Sequence, residues 1–172
     1  TIFALLSSIK NGTTTIFDHH DSYGFIDGSL DIIADAVRKA GLRANLSYEI
    51  SDRHGEKKSS KAIKENERFI KKVDKGNPYL GATLCLHASF TLSDQSLERI
   101  AEMKDDFDIP IHIHAAEGWA DVQHSKDNGY KGVIHRLNSY NILTPDSLAI
   151  HGVHLQNGEF EILNNNRVNL IH

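Results

Sequence analysis

The segment 109–117 combines a strand pattern with residues that could do hydrolytic chemistry. Apolar residues alternate there with Pro110, His112 and His114, with the two-residue period of a strand whose faces meet different surroundings. Glu117 follows three residues after His114, where the strand should give way to a loop. An imidazole with a nearby carboxyl group at a strand's C-terminal end suits a metal ligand beside a proton shuttle.

The same arrangement recurs at two other strand-like segments, which end in His87 and His151. Each histidine lies on the face opposite the large aliphatic residues of its segment. The alternative is that these are three unrelated histidines, each satisfied by hydrogen bonds in a core. Because all three have the same phase on consecutive strands, a shared site is favoured instead. In a parallel barrel, large aliphatics face the surrounding helices and the C-terminal rim carries the site. We therefore expect His87, His114 and His151 within about 10–12 Å of one another, the width of one small-ligand pocket, with Glu117 on the same rim. The residues expected under the helices are Leu84, Leu86, Ile111, Ile113, Leu148 and Ile150.

The composition is that of an ordinary globular protein. The 172 residues are 24% charged and 40% hydrophobic, with a formal net charge of −4. This mild acidity gives no support for nucleic-acid binding, and no apolar run is long enough to cross a membrane. A single cysteine, Cys85, excludes an internal disulfide and fits a reducing cytoplasm; its mid-strand position favours a buried core residue over a nucleophile. The unusual residue type is histidine, with eleven copies.

Strand-like and helix-like segments alternate along the chain. The predicted strands are 13–18, 42–50, 80–87, 109–114, 147–151 and 168–172. The predicted helices are 1–9, 28–40, 59–75, 93–107 and 159–163, with further helical stretches between 119 and 139. Such alternation implies a parallel sheet with right-handed crossovers. The first strand leads into Asp-His-His-Asp at 18–21 instead of a glycine-rich phosphate loop, which argues against a dinucleotide fold. Because a (β/α)8 barrel needs about 250 residues, we expect residues 1–172 to be a single domain that represents part of a larger barrel.

These segments resemble the amidohydrolase superfamily, in particular its cytosine deaminase-like and chlorohydrolase-like branch. The stretches similar to that branch's second, fourth, fifth, sixth and seventh barrel strands are 12–18, 87–91, 112–117, 151–155 and 168–172. The Asp-His-His-Asp-Ser sequence at 18–22 looks most like the SsnA-type aminohydrolases. The resemblance implies a parallel (β/α)8 TIM-type barrel, of which this chain supplies about six strands, the second to the seventh.

The resemblance also implies roles for the four residues of the expected rim. His114 is similar to the fifth-strand metal ligand, and Glu117 to the acid that passes a proton to the substrate. His151 resembles the histidine that hydrogen-bonds the metal-bound water or the substrate, and His87 a substrate-binding residue. Because His87 stands where binuclear members carry a bridging lysine or acid, we expect one divalent metal ion. Zinc is the first choice, with iron and manganese as alternatives.

The resemblance implies ligands beyond those in this sequence, namely a first-strand His-x-His pair and an eighth-strand aspartate. One imidazole cannot hold a catalytic metal, which commonly has three protein ligands, so we expect this segment alone to be inactive. The pair His112-x-His114 lies in the fifth-strand context, so the resemblance implies that His112 is a neighbour of the site rather than a ligand, although its role is left open. The roles of His19, His20, His154 and His172 stay open.

The function implied for the whole protein is that of a metal-dependent hydrolase of carbon–nitrogen bonds other than peptide bonds. It would use a metal-activated water, as an aminohydrolase or deaminase of a heterocycle or small amine. The alternative is a non-catalytic ligand-binding domain or degenerate barrel domain. A small-molecule substrate is the expected partner, without nucleic acid or membrane, and homo-oligomer formation is left open.

Overall fold

Helices and strands alternate in a computed structural model of the chain that describes residues 1–73 and 76–172. The helices are α1 (Ile2–Lys10), α2 (Ser29–Ala40), α3 (Glu56–Lys72), α4 (Asp94–Phe107), α5 (Trp119–Asp127), α6 (Val133–Ser139) and α7 (Glu159–Asn165). The strands are β1 (Thr15–Phe17), β2 (Arg43–Leu46), β3 (Glu49–Ile50), β4 (Leu80–Ala82), β5 (Leu84–Ala88), β6 (Ile111–Ala115), β7 (Leu148–His151) and β8 (Asn169–Ile171). The helix predicted at 59–75 begins earlier, at Glu56, and ends at Lys72, and residues 74–75 of that prediction lie outside the described residues. No helix among the described residues is long and apolar enough to span a membrane.

The strands pair in parallel, in the orders β1-β2-β4 and β3-β5-β6-β7-β8. The predicted strand 42–50 is divided into β2 and β3, and 80–87 into β4 and β5. Between β2 and β3, the Tyr48 amide donates to Asn66 Oδ1 at 2.9 Å, and the Asn66 amide donates to the Tyr48 carbonyl at 2.7 Å. A side chain of α3 thus takes the place of a neighbouring strand at this residue. With each divided strand counted as one, spatial order follows chain order, which is the order of a barrel.

The core lies between the outer face of the sheet and the helices. On α2, the residues Leu30, Ile33, Ala34 and Val37 are buried, as their helical spacing predicts. Helix α4 begins after Ser93, whose hydroxyl accepts a hydrogen bond from the Ser96 amide at 3.2 Å. The sheet contributes the fully buried side chains Leu84, Leu86, Ile111 and Ile113 to the same core.

The prediction that Leu148 and Ile150 lie under the helices is wrong. Neighbours in register on parallel strands direct their side chains to the same face, and β6 pairs Ile113 with Ala149 and His114 with Ile150. Ala149 therefore lies under the helices and is fully buried, whereas Leu148 and Ile150 face the barrel interior and are only partly buried. The physical reason is that register fixes the phase of β7, and a small alanine fills its helix-facing position.

Candidate functional site

The four residues expected on one rim come together at the C-terminal ends of β5, β6 and β7. The ring centroids of His87 and His114 are 6.2 Å apart, and those of His114 and His151 are 5.4 Å apart with the rings stacked. Glu117 Oε1 lies 3.6 Å from His151 Nε2. The predicted convergence is therefore observed, with neighbouring rings closer together than we expected.

His151 reaches this rim through an unusual backbone conformation. Its Cα pairs with Ala115, whose side chain is fully buried, so a regular strand would direct His151 towards the helices. His151 instead has a φ of 77°, in the left-handed region, and Gly152 follows with a φ of 63°. Two hydrogen bonds hold this turn against β6, from the Gly152 amide to the Ala115 carbonyl at 3.0 Å and from the His154 amide to the Ala116 carbonyl at 2.8 Å. Strained backbone of this kind is characteristic of functional sites.

His114 has the hydrogen bonding of a metal-binding histidine. Its Nδ1 lies 3.0 Å from the carbonyl oxygen of His87, so Nδ1 carries the proton and donates, which leaves the lone pair on Nε2. Burial lowers the pKa of His114, and the neighbouring imidazole of His19 lowers it further. Histidines that bind metals are neutral and donate their second ring N–H to a carbonyl or carboxylate in this way. The hydrogen bonding of His114 therefore fits a residue that would bind a divalent metal through Nε2.

A cavity of about 370 Å³ opens beside this rim. Its lining includes His87, Phe90, His114, Glu117 and Asp121. The volume lies within the range of small-molecule sites, and the convergence of a few polar groups in such a cavity is typical of them.

Asp121 holds the ends of two strands together beneath the cavity. Its carboxylate accepts hydrogen bonds from the Ala116 amide at 3.0 Å, at the end of β6, and from the Phe90 amide at 3.2 Å, after β5. Ala116 has a φ of 51°, so this turn, from which Glu117 projects, depends on a fixed backbone. Burial of Asp121, which is 3% exposed, raises its pKa to about 6 in spite of both hydrogen bonds.

We expect Asp121→Asn to change how stability depends on pH. An acid whose pKa is raised on folding binds its proton more tightly in the folded state than in the unfolded state. The resulting stabilisation of the folded state by Asp121 is present below about pH 4 and is lost as the pH rises to about 6. The free energy of unfolding of the variant, relative to that of the parent, should rise by about 2–3 kcal/mol between pH 4 and pH 7. Urea unfolding across this range measures the difference. Parallel curves for the two proteins would show that Asp121 ionises normally.

His19 is a site residue to which the sequence interpretation gave no role. Its ring centroid lies 4.3 Å from that of His114, and its Nε2 lies 3.1 Å from Glu49 Oε2. Burial alone would raise the pKa of Glu49, but the hydrogen bond with His19 and the positive charge of Arg53 lower it. The available signal was position, because His19 follows β1 as the other histidines end their strands.

A second row of side chains lies one step below the rim. Register aligns Glu49 of β3 with Cys85 of β5, and Cys85 with His112 of β6, so all three face the barrel interior. Cys85 is fully buried, as expected, but its Sγ lies 2.7 Å from His19 Nδ1. Burial raises the pKa of the Cys85 thiol well above its ordinary value and lowers the pKa of His112 to about 4.

Comparison with known proteins gives consistent family and fold matches. The family model of the Amidohydrolase family matches residues 4–172. A 5'-deoxyadenosine deaminase of Methanosarcina mazei is 32% identical over 174 residues, which cover 99% of this chain and 38% of the relative. The chain thus spans about two fifths of the length of the curated relatives it matches.

Solved structures match the fold at lower sequence identity. An atrazine chlorohydrolase from Arthrobacter aurescens TC1, complexed with zinc, has a TM-score of 0.84 at 17% identity, covering 99% of this chain and 41% of that one. A guanine deaminase from C. acetobutylicum, with guanine in its active site, also has a TM-score of 0.84, at 16% identity, covering 99% and 42%. These matches confirm the predicted TIM-type barrel, represented here by about six strands.

Proposed function

The chain belongs to the Amidohydrolase family, and we propose that the whole protein is a metal-dependent hydrolase of carbon–nitrogen bonds other than peptide bonds. The observation that carries this proposal is the convergence of His87, His114, His151 and Glu117 beside one cavity. The proposed reaction is the deamination of a nitrogen heterocycle or a small amine. A relative named for deaminating 5'-deoxyadenosine and a fold neighbour that holds guanine support this substrate class.

The proposed cofactor is one divalent metal ion, with zinc as the first choice. His114 would hold it through Nε2, because Nδ1 is engaged by the His87 carbonyl. We propose that residues 1–172 form a single domain that is part of a complete barrel. The remaining metal ligands would come from the other strands of that barrel. When bound, such a metal supplies Lewis acidity, which lowers the pKa of a water ligand to about 7. Zinc is supported by the imidazole donor and by the zinc in the chlorohydrolase neighbour.

Glu117 and His151 would divide the proton transfer and the charge stabilisation between them. The Glu117 side chain is 64% exposed and lines the cavity, so it can exchange protons with water and reach a bound substrate. We assign it the transfer of a proton to a ring nitrogen or to the departing amine. His151 Nε2 lies beside this carboxyl group. It would donate a hydrogen bond to the oxygen of the attacking water, which carries negative charge as it adds to the substrate carbon.

His87 would bind the substrate and not the metal. Its Nδ1 lies 3.0 Å from the Thr91 hydroxyl, which fixes the ring, and its side chain lines the cavity. Burial lowers the pKa of His87, which favours the neutral ring that can hydrogen-bond an uncharged heterocycle. A cytoplasmic location belongs to the same proposal and is supported by the free thiol of Cys85.

The direct test is ammonia release by the whole protein from a panel of purine nucleosides, free purines and small amines. We expect release from at least one nitrogen heterocycle, loss of that release after treatment with a chelator, and its recovery with zinc. A peptide amide serves as the negative control. Absence of release across the panel by metal-loaded protein would contradict the deaminase proposal and favour a non-catalytic binding domain.

A further inference from the structure

Beneath the rim, three side chains of types that commonly bind metals, from three separate parts of the chain, face one another. His19 follows β1, Cys85 lies in β5 and His112 lies in β6. One donor atom from each, a ring nitrogen or the sulfur, lies within 4.8 Å of the other two. The sulfur and the His112 ring are at least nine-tenths buried, with exposures of 0% for Cys85 and 6% for His112.

A hydrogen bond between the Cys85 thiol and His19 explains only part of this cluster. Cys85 Sγ lies 2.7 Å from His19 Nδ1, so the thiol can donate its proton to this nitrogen. His112 Nδ1, however, is buried and has no hydrogen-bond partner among the described residues. A buried polar atom left without a partner is energetically unfavourable, which calls for an explanation such as an ion or a water.

Glu49 orients His19 towards the cluster. Its carboxylate oxygen lies 3.1 Å from His19 Nε2, so Nε2 carries the proton and donates to it. The lone pair of His19 is then on Nδ1, the nitrogen that faces the Cys85 sulfur. A carboxylate behind a histidine in this manner is the usual outer support of a metal ligand.

We propose that His19, Cys85 and His112 form a second metal site, which takes zinc or a similar thiophilic divalent ion through two imidazoles and one thiolate. On binding, the metal–sulfur bond replaces the S–H bond of Cys85, and one proton is released to solvent. Tetrahedral zinc with ordinary bond lengths places its nitrogen and sulfur ligands about 3.3–3.6 Å apart. The 2.7 Å separation of Cys85 Sγ and His19 Nδ1 lies below this range and the 4.8 Å upper limit for the cluster lies above it, so metal binding would require side-chain rotation.

The site is distinct from the one assigned to His114. The ring centroids of His112 and His114 are 6.1 Å apart, and the two residues belong to successive inward-facing positions of β6. The donor sets also differ, because only the lower site offers sulfur. A thiolate ligand gives a bound cobalt ion a sulfur-to-metal charge-transfer absorption in the near ultraviolet, which an all-imidazole and carboxylate site cannot give.

The test is a cobalt titration of the whole metal-free protein, followed by absorption and by metal analysis. We expect a thiolate charge-transfer band in the parent and in His114→Gln, and no such band in Cys85→Ser. In His112→Gln, the cobalt affinity measured from the band should fall by at least about tenfold. The matched control is His54→Gln, because His54 is an exposed histidine outside the cluster, and this variant should behave as the parent.

Absence of the band in the parent, or its persistence in Cys85→Ser, would overturn the proposal. Should Cys85→Ser fail to fold, His112→Gln retains the thiol and decides the question, because an unchanged affinity would remove His112 from the site. The result is separable from the proposed hydrolase function. Ammonia release without a thiolate band would leave the hydrolase intact and refute the second site alone.

Discussion

The Glu117→Gln variant of the whole protein should lose about 10²–10⁴-fold in kcat, the usual effect of removing a positioned general acid. Glutamine keeps the size of the side chain, and the 3.6 Å separation between Glu117 and His151 involves no backbone group, so the fold should be preserved. The measurement is steady-state kinetics of ammonia release with metal content determined on the same sample. Metal occupancy should be unchanged, because Glu117 is assigned to proton transfer.

The matched control for this variant is Glu98→Gln, an exposed glutamate on α4. It should retain the activity of the parent. If Glu117→Gln stays within a few-fold of the parent at full metal occupancy, Glu117 is not the proton donor.

His151→Asn should lower kcat by about 10²–10³-fold, the usual cost of removing one hydrogen-bond donor from a developing negative charge. Asparagine is a suitable replacement because, like glycine, it tolerates the left-handed backbone that His151 adopts at φ 77°. The variant therefore removes the imidazole without straining the turn. Kinetics on the same substrate, with circular dichroism to verify the fold, measure the effect.

The control is His54→Asn, which makes the same chemical change at an exposed histidine. We expect kcat within twofold of the parent for this control. An equal loss in both variants, or no loss in His151→Asn, would contradict the role of His151 in stabilising charge.

Side-chain periodicity predicted β6 and α2 correctly because their patterns are long and chemically distinct. In β6, isoleucines alternate with histidines, and Ile111 and Ile113 are buried while His114 reaches the rim. On α2, the apolar stripe has the helical period over twelve residues. Such patterns leave little freedom in which face is buried.

The four-residue strand β7 offered no comparable signal. Its sequence Leu-Ala-Ile-His is compatible with either face inward, and register with β6 decides in favour of Ala149 under the helices. His151 nevertheless reaches the predicted rim because of its positive φ, a backbone feature that no side-chain pattern predicts. The placement of this histidine was therefore correct for a reason that the periodicity argument did not contain.

The position of His19 beside the candidate site depends on contacts with residues that are distant in sequence. The residue follows a strand of three residues, and its neighbours Glu49, Cys85 and His114 come from three other segments. Only the parallel pairing of strands distant in sequence brings these groups together. Local pattern placed the strand ends on one rim, but it could not identify which further side chains turn inward below them.

The most direct test of a metal-dependent site at His114 is to compare activity and metal content in the parent and in His114→Ala. For the parent, we predict that activity disappears on chelation and returns when zinc is added, with one equivalent per chain bound at the His114 site in addition to any zinc held by His19, Cys85 and His112. The variant should lose that equivalent and its activity together, and added zinc should not restore either. Chelated parent that keeps full activity, or His114→Ala with the metal content and activity of the parent, would contradict the account.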